Sequence, residues 1–165
     1  MMNLQTLSPM ATAVVEALRA RGETVALAES CTGGLAAKTL TDVAGASNVF
    51  ACGVVAYSEA VKQELLGVKA ETLAKHSVIS KEVALEMAEG VRALSGADYG
   101  IGITGVAGPG PNGPHPEGEI YIAVCGEDFA KVVRLEDRRE NERMNHRAAA
   151  AKTAFFLLHE HLTTK

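Results

Sequence analysis

A short apolar segment that leads directly into a helical one most constrains the fold of this chain. Residues 24–28 have the composition of a buried strand, and residues 35–40 have the composition and spacing of a helix. The pattern recurs where an apolar run over 48–57 precedes a helix predicted over 59–66, which Ser58 can cap. Strands that alternate with helices are typical of α/β folds, in which each helix crosses over a parallel sheet.

Capping residues predict the remaining helices. Ser8 can cap a first helix over 9–21, with Pro9 at its first position and Gly22 after its end. Further helices are predicted over 70–76, from the cap Ser80 to about Gly96, and over 141–161.

The late strands give the predicted sheet an antiparallel end. Strands are predicted over 97–104, 119–125 and 130–135, and only about four residues separate the last two, which indicates a hairpin. The chain is therefore expected to form a single domain over 1–165. Its predicted fold is a three-layer α/β/α domain with a mixed, mostly parallel sheet and a late antiparallel hairpin.

Charge and composition exclude several classes of protein. The chain has 165 residues, 47% of them hydrophobic, which suffices for one buried core. A formal charge of -4 and a pI near 5.7 argue against nucleic-acid binding, because such proteins need a basic surface. No apolar segment approaches the ~20 residues that cross a bilayer, and no signal-like amino terminus is present, so a cytoplasmic protein without membrane contact is expected.

The cysteines and histidines indicate neither a disulfide framework nor a metal. Cys31, Cys52 and Cys125 are odd in number and far apart, which favours a reducing compartment. The histidines form no HExxH motif. The chemistry of a site is therefore expected to come from protein side chains.

Ser30 follows the first predicted strand at the start of a helix. Backbone N–H groups in the first turn of a helix lack helical partners, and Gly33-Gly34 permits a ligand to approach them. Ser30 is therefore a candidate nucleophile, with these amides as donors to an oxyanion. A simple helix cap is the alternative. Cys31 is a rival nucleophile, although most buried cysteines act as small hydrophobic residues.

Ser30 needs a base, and Lys62 is the candidate. A serine hydroxyl is a weak nucleophile at neutral pH, whereas a lysine can act as a base when burial disfavours its charged form. Lys62 lies one helical turn after Ser58, so its side chain can point back toward the strand ends. Tyr57 and Thr104 are expected at the same edge of the sheet, where α/β folds bind ligands. A surface lysine and a core-edge tyrosine are the alternatives.

The string over 100–105 matches the GxGxxG pattern of dinucleotide-binding proteins, but its context does not. That motif requires a helix directly after it and an acidic residue on a later strand, whereas here the glycine- and proline-rich stretch 105–118 follows. A nicotinamide cofactor is therefore not expected. The stretch itself is either a mobile lid over a ligand or an irregular connection.

Two arginines stand near the start of the last predicted helix. Arg143 and Arg147 are four residues apart, which places them on one helical face. Paired guanidinium groups suit a phosphate monoester. The alternative is a solvated face with Glu140 and Glu142 as ion-pair partners.

Four ordered segments of the chain form a specific pattern. They are Ala28-Glu29-Ser30-Cys31-Thr32-Gly33-Gly34, Gly53-Val54-Val55-Ala56-Tyr57-Ser58, Lys62 followed by Leu65-Leu66-Gly67-Val68, and Thr104-Gly105-Val106-Ala107-Gly108-Pro109. With these segments the chain resembles the CinA carboxyl-terminal-domain family over nearly its whole length. The family's larger members carry an additional amino-terminal domain that this sequence lacks, so the chain resembles the stand-alone form.

The enzymes of that family are nicotinamide mononucleotide amidohydrolases. The resemblance implies the same activity here, namely hydrolysis of a pyridine carboxamide to the acid with release of ammonia, in pyridine nucleotide salvage. It implies a serine acyl-enzyme formed on Ser30, with Lys62 and Tyr57 as proton-transfer partners, no metal or organic cofactor, and a homodimer. The residues expected to bind the nucleotide substrate are Thr32, Gly33, Gly34, Thr104, Gly105, Arg143 and Arg147.

Two segments depart from the family pattern. Before the last helix the family has Gly-Asp-Arg-x-x-Ile/Val-Arg, whereas this chain has Asn141-Glu142-Arg143-Met144-Asn145-His146-Arg147, which keeps both arginines. In the loop the family commonly has Lys-Pro-Val-Gly, whereas this chain has His115-Pro116-Glu117-Gly118. A glutamate near a phosphate would repel it, unless Glu117 points into solvent or contacts ribose hydroxyls.

The residues alone leave two other functions open. A non-catalytic module could keep the fold and the pocket but sense a nucleotide, or contact a competence or DNA-damage partner. A nicotinamide-dependent reductase would require the glycines of 100–105 to bind pyrophosphate. Release of ammonia from the mononucleotide distinguishes an amidohydrolase from both.

Overall fold

A five-stranded sheet separates two layers of helices in the computed structural model, which describes residues 7–164. The strands are β1 (Val25–Glu29), β2 (Phe50–Val55), β3 (Tyr99–Gly105), β4 (Glu119–Cys125) and β5 (Ala130–Glu136). The α-helices are α1 (Ser8–Arg21), α2 (Leu35–Thr41), α3 (Glu59–Leu66), α4 (Ala70–His76), α5 (Lys81–Ser95) and α6 (Arg143–Thr163), and a 3-10 turn covers Ala46–Asn48. None of the helices in this range is both long and apolar enough to cross a membrane. The predicted domain of 1–165 extends at both ends beyond the described residues.

The strand order places β1 at the centre of the parallel part of the sheet. The order is β2-β1-β3-β4-β5, and β1 pairs in parallel with both β2 and β3. β4 runs antiparallel to both β3 and β5. The prediction of an α/β fold with a mostly parallel sheet and a late antiparallel hairpin is confirmed.

Apolar side chains from both faces of the sheet form the core. α1, α2 and α6 cover one face, where Leu18 and Phe155 are buried. α5 covers the other face with Val83, Met87 and Val91, and α3 packs beside it. Burial of each such side chain contributes roughly 1.5–3 kcal/mol, so both helical layers are needed for a stable sheet.

Two glycines of β3 let α5 approach the sheet closely. A Cβ at Gly100 would lie 2.1 Å from the carbonyl oxygen of Ala88, and one at Gly102 would lie 2.1 Å from that of Ala84. Both separations are far below van der Waals contact, so a larger residue would force the helix away. The GxGxxG string over 100–105 therefore has a packing function in this fold.

Three of the differences between predicted and observed boundaries have a local cause. Ser8 is not the cap of α1, because the helix already begins at Ser8 and Leu7 holds the cap position without a side-chain hydrogen bond. The apolar run over 48–57 forms a strand only within β2, because the 3-10 turn takes up its start. α6 begins at Arg143, since Asn141 has a φ of 59°, which is outside the range of a right-handed helix.

Candidate active site

Three strands end at one edge of the sheet, and each brings a polar residue there. Ser30 follows β1, Tyr57 lies shortly after β2, and Thr104 lies near the end of β3. The chain leaves β1 for β2 on one side and returns to β3 on the other, so the strand order reverses at β1. Such a reversal leaves a crevice at the carboxyl ends of the strands, where α/β domains bind ligands.

Ser30 and Lys62 form a buried contact at this edge. The Nζ of Lys62 lies 3.0 Å from the Oγ of Ser30, and Lys62 as a whole is 1% exposed. The same Nζ donates to the carbonyl oxygens of Ala56, at 2.7 Å, and of Tyr57, at 3.3 Å. The structure thus brings Ser30 and Lys62 together away from solvent.

Burial weakens the affinity of Lys62 for its proton. Because removal of an ammonium from water disfavours its charge, burial lowers the pKa of Lys62 below its ordinary value of 10.5. Its surroundings suit both states. As an ammonium, Lys62 has three N–H donors, one for the Ser30 hydroxyl and two for the carbonyl oxygens. As a neutral amine, it keeps two N–H donors for the carbonyl oxygens, and its lone pair accepts the Ser30 proton. A proton can therefore pass between Ser30 and Lys62 without rearrangement.

The local sequence fixes the direction in which Lys62 points. Ser58 caps α3 by accepting a hydrogen bond from the amide of Val61 at 3.2 Å. The helix then buries Lys62 and Leu66, which lie about one turn apart. Because helical side chains lean toward the start of their helix, Lys62 is directed to the strand ends and not to solvent.

A buried carboxylate that the sequence analysis does not single out holds the serine loop, residues 30–34. Glu29 is 1% exposed, and its carboxylate accepts three backbone hydrogen bonds. Their donors are the amides of Gly34, Ala36 and Ala37, at 3.1, 3.1 and 2.7 Å. A negative charge is favourable at the start of a helix, where N–H groups lack partners. The sequence offers one signal for this contact, an acidic residue between the predicted strand and the predicted helix.

The carboxylate changes which amides of the serine loop can serve a ligand. Gly34 donates to it, and Gly33 donates to the carbonyl oxygen of Ser30 at 3.0 Å. Backbone amides near Gly33 and Gly34 are the expected oxyanion donors, but the amides of these two residues themselves already donate to acceptors within the chain. Among the described residues, the amides of Cys31 and Thr32 are the ones in this loop that donate to no other residue.

Cys31 lies beside Ser30 but is poorly suited to act as a nucleophile. Its side chain is buried, and burial raises the pKa of its thiol to about 12. Because the thiolate is the reactive form of cysteine, Cys31 stays protonated and unreactive near neutral pH.

A cleft of about 350 Å³, the Ser30 cleft, opens over Ser30 and Lys62. Thr104 and Gly105 belong to its wall, and the Thr104 hydroxyl donates to the carbonyl oxygen of Val78 at 2.9 Å. This bond ties the end of β3 to the turn before α5. Within residues 7–164, no group of three or more histidine, cysteine, aspartate or glutamate side chains is placed to hold a metal ion.

The two arginines predicted to share a face have different positions. Arg143 lines the Ser30 cleft, and its guanidinium donates to the carbonyl oxygen of Gly108. Arg147 lies outside the cleft wall and donates to the carbonyl oxygen of Thr32 at 2.6 Å. Thr32 itself is fully buried. The structure therefore does not support Thr32 and Arg147 as residues that contact a substrate, and it gives Arg147 the task of holding the serine loop.

The phenol of Tyr57 lies at the mouth of the Ser30 cleft. Tyr57 is 62% exposed and lines the cleft. Its backbone carbonyl contacts Lys62, while its hydroxyl makes no hydrogen bond within the described part of the chain. No contact within the described residues prepares the phenol for proton transfer, and that role is a hypothesis that Tyr57→Phe tests.

Glu117 ties down the glycine- and proline-rich loop. Its carboxylate accepts hydrogen bonds from the amides of Gly110, at 2.8 Å, and Glu142, at 3.2 Å. The side chain is 8% exposed and is not part of the wall of the Ser30 cleft. Glu117 thus does not point into solvent, and backbone N–H groups offset the repulsion that it would exert on a phosphate.

These features define a class of protein, a three-layer α/β domain with a buried serine–lysine pair beneath a cleft at the edge of its sheet. Comparison with known proteins then identifies the family. The CinA C-terminal domain matches residues 7–162, and the chain belongs to that family.

Curated relatives share the sequence over most of this chain. A CinA-like protein of Anaeromyxobacter dehalogenans is 49% identical over 137 residues, which are 82% of this chain and 34% of the relative. A CinA-like protein of Desulfovibrio desulfuricans is 44% identical over 152 residues, which are 90% of this chain and 36% of the relative. The chain thus spans about a third of the length of these curated relatives.

Solved structures share the fold over nearly their whole length. A CinA superfamily protein of Klebsiella pneumoniae is 36% identical with a TM-score of 0.89, and the match covers 96% of this chain and 99% of that one. The competence/damage inducible protein CihA of Agrobacterium tumefaciens is 33% identical with a TM-score of 0.88, and the match covers 92% and 93%. The fold described above is therefore the CinA fold.

Proposed function

We propose that this chain is an amidohydrolase that converts nicotinamide mononucleotide to nicotinate mononucleotide and ammonia. The observation that carries the proposal is the 3.0 Å contact between the Ser30 Oγ and the buried Nζ of Lys62 beneath an open cleft. A lysine whose pKa is lowered by burial can act as the base that activates a serine without a metal. Membership of the CinA family supports the choice of substrate.

The reaction begins with formation of an acyl-enzyme. The neutral amine of Lys62 accepts the Ser30 hydroxyl proton as Oγ attacks the carboxamide carbon. The amide of Cys31, which lies in the cleft wall and donates to no other described residue, stabilises the oxyanion. The Lys62 ammonium then passes its proton to the amide nitrogen, the C–N bond breaks, and ammonia leaves.

Water completes the cycle. Lys62, again neutral, takes a proton from the water that attacks the acyl carbon, and the ester bond to Ser30 breaks. The proton returns to Oγ and nicotinate mononucleotide leaves as the acid. The carbonyl oxygens of Ala56 and Tyr57 hold Nζ through both steps, so the base keeps its direction.

The Ser30 cleft offers separate contacts for the rest of the substrate. Arg143 carries the positive charge that suits the phosphate. Thr104 and Gly105 form the wall beside the ribose, and the exposed ring of Tyr57 lies against the cationic pyridinium. These remote contacts position the carboxamide over Ser30.

Release of ammonia from the mononucleotide tests the proposal. We expect the wild-type chain to produce ammonia and the acid in equal amounts, and Ser30→Ala to lose at least about 1,000-fold in kcat. Ser95→Ala is a matched control, because Ser95 lies at the end of α5 and bonds to carbonyl oxygens of its own helix. Binding of the nucleotide without ammonia release by the wild type would contradict hydrolysis and indicate a binding module.

A further inference from the structure

A second serine takes part in a hydrogen-bonded chain outside the Ser30 cleft. The Oγ of Ser77 lies 3.1 Å from the Nε2 of His115, and the Nδ1 of the same ring lies 3.2 Å from the Oε1 of Glu119. The three residues come from the turn after α4, from the glycine- and proline-rich loop and from the start of β4. A serine, an imidazole and a carboxylate in this order match an acyl-transfer triad, which is recognised by geometry and not by sequence order.

The hydrogen bonds fix the tautomer of His115. A carboxylate only accepts hydrogen bonds, so the Nδ1 that faces Glu119 carries the proton. The neutral ring then has a bare Nε2, which accepts the hydroxyl proton of Ser77. Glu119 is well placed to hold this orientation, because its side chain is 5% exposed, accepts the Tyr121 hydroxyl at 2.9 Å and lies 3.4 Å from Arg134.

The backbone around Ser77 resembles that of a nucleophile. Its φ of 71° and ψ of 160° lie in a region that residues other than glycine rarely adopt, and a strained sharp turn is also where hydrolases place a serine nucleophile. The amide of Ile79 donates to the Ser77 Oγ at 3.3 Å, which stabilises negative charge on that oxygen. The amide of Val78 donates to no other described residue, and the residue after the nucleophile supplies an oxyanion donor in such hydrolases.

The second site is separate from the Ser30 cleft but shares a wall with it. Ser77 and His115 are half-buried, and the side chain of His115 is 17% exposed. Val78 and Asn112 line the Ser30 cleft, and Asn112 pairs with His115 through two backbone hydrogen bonds of 2.9 and 3.1 Å. The two sites therefore have different nucleophiles and different bases.

Partial exposure selects the class of substrate. A site that water partly reaches stabilises developing charge less than a fully buried one. Esters are easier to cleave than amides, because an alcohol leaves more readily than an amine. The second site therefore suits small carboxylic esters.

We propose that Ser77, His115 and Glu119 form a second acyl-transfer site that hydrolyses small carboxylic esters. The Nε2 of His115 takes the hydroxyl proton as the Ser77 Oγ bonds to the ester carbonyl carbon, and Glu119 stabilises the imidazolium through Nδ1. The imidazolium protonates the leaving oxygen, the ester C–O bond breaks, and an alcohol departs. Water, deprotonated by Nε2, attacks the acyl carbon. Oγ then leaves with the returned proton, and a carboxylic acid is released.

The test uses the full chain with Ser30→Ala, so that the first nucleophile contributes nothing. We expect a fluorophosphonate probe to label this variant, with the adduct assigned to Ser77 by mass-spectrometric fragmentation. Hydrolysis of p-nitrophenyl acetate should fall at least about tenfold when Ser77→Ala or His115→Gln is added. Glutamine keeps a polar side chain at this position but cannot take the proton.

Ser95→Ala in the same background is the matched control and should leave both labelling and ester hydrolysis intact. Melting temperatures verify that every variant is folded. A folded Ser30→Ala chain without an adduct at Ser77, or with equal ester hydrolysis before and after Ser77→Ala, would overturn the proposal. Failure of the ammonia assay would leave this test unaffected, because it measures neither amide hydrolysis nor the Ser30 nucleophile.

Discussion

The two strand–helix junctions at the active edge of the sheet are built differently. After β1, the buried carboxylate of Glu29 caps the start of α2 and accepts hydrogen bonds from three backbone amides. After β2, the hydroxyl of Ser58 caps α3 through the amide of Val61, and both Ser58 and Tyr57 are exposed. The buried Glu29 carboxylate reaches N–H groups that water does not, such as that of Ala36, whereas water can satisfy the N–H groups at the exposed start of α3.

This difference gives each junction its own task. The buried junction holds Ser30 in a fixed position. The exposed junction supplies the base, because Lys62 reaches from α3 into the buried one while the carbonyl oxygens of Ala56 and Tyr57 hold its amine. The placement of the nucleophile and the lowered pKa of the base thus depend on burial of the same small volume.

Of the predicted changes, replacement of Lys62 should lower the rate of ammonia release the most. Lys62→Met removes the base but keeps an apolar chain in the buried site, so we expect kcat for ammonia release to fall at least about 1,000-fold. Lys62→Arg should fail equally, because a guanidinium is not deprotonated in proteins. Turnover by Lys62→Arg within about tenfold of the wild type would show that Lys62 supplies charge and not proton transfer.

The pH profile tests whether burial sets the strength of the base. Burial lowers the pKa of Lys62 from 10.5, so kcat/KM should rise about tenfold per pH unit while the amine is protonated and level off above the lowered pKa. Initial rates from about pH 5 to about pH 10 measure this profile. A rate that still rises at the top of that range would indicate that the Lys62 amine is solvated and keeps a pKa near its ordinary value.

The lowered pKa of Lys62 should also make the free energy of unfolding depend on pH. The folded chain loses the Lys62 proton at a lower pH than the unfolded chain, which keeps it up to about 10.5. Between the folded and the unfolded pKa of Lys62 the unfolded state binds more protons, so the free energy of unfolding should rise with pH across that interval. Below the folded pKa, Lys62 is charged in both states, and the cost of burying that charge is fully present. Urea unfolding of the wild type and Lys62→Met at several pH values should show a difference that moves in favour of the wild type as pH rises.

Removal of the Glu29 cap should lower the free energy of unfolding more than removal of the Ser58 cap. Glu29→Gln leaves one acceptor oxygen and turns an NH2 group toward backbone N–H groups, so we expect the free energy of unfolding to fall by about 3 kcal/mol. Ser58→Ala removes one exposed cap and should cost about 1 kcal/mol. Urea unfolding compares the two variants. Equal losses would mean that the buried carboxylate contributes no more than an ordinary cap.

Local signals account for the part of the site that the sequence predicts. The strand before Ser30, the helix after it and the Ser58 cap are each identified from a few neighbouring residues. Once β1 and β2 are parallel neighbours, their carboxyl ends meet, and a lysine one turn into α3 has few directions open to it. The Ser30–Lys62 contact therefore follows from local pattern and topology together.

The contacts that the sequence analysis misses depend on how distant segments pack. Arg147 bonds to Thr32 across 115 residues, which requires α6 to lie beside the start of α2. A spacing of four places Arg143 and Arg147 on one helical face, but Arg143 is the first residue of α6 and meets the loop at Gly108 instead. Helical spacing fixes a face of the helix and not the neighbour that each residue on that face contacts.

The smallest effect is expected at Tyr57, in the exposed junction. Tyr57 offers Lys62 a backbone carbonyl that phenylalanine retains, and its phenol is 62% exposed. We expect Tyr57→Phe to change the free energy of unfolding by less than about 0.5 kcal/mol and kcat by less than about threefold. A loss of about 100-fold or more in kcat at unchanged KM would instead make the phenol a proton-transfer partner. The exposed junction would then have to close over the substrate during the reaction, and the contrast between a buried and an exposed junction would hold only for the free protein.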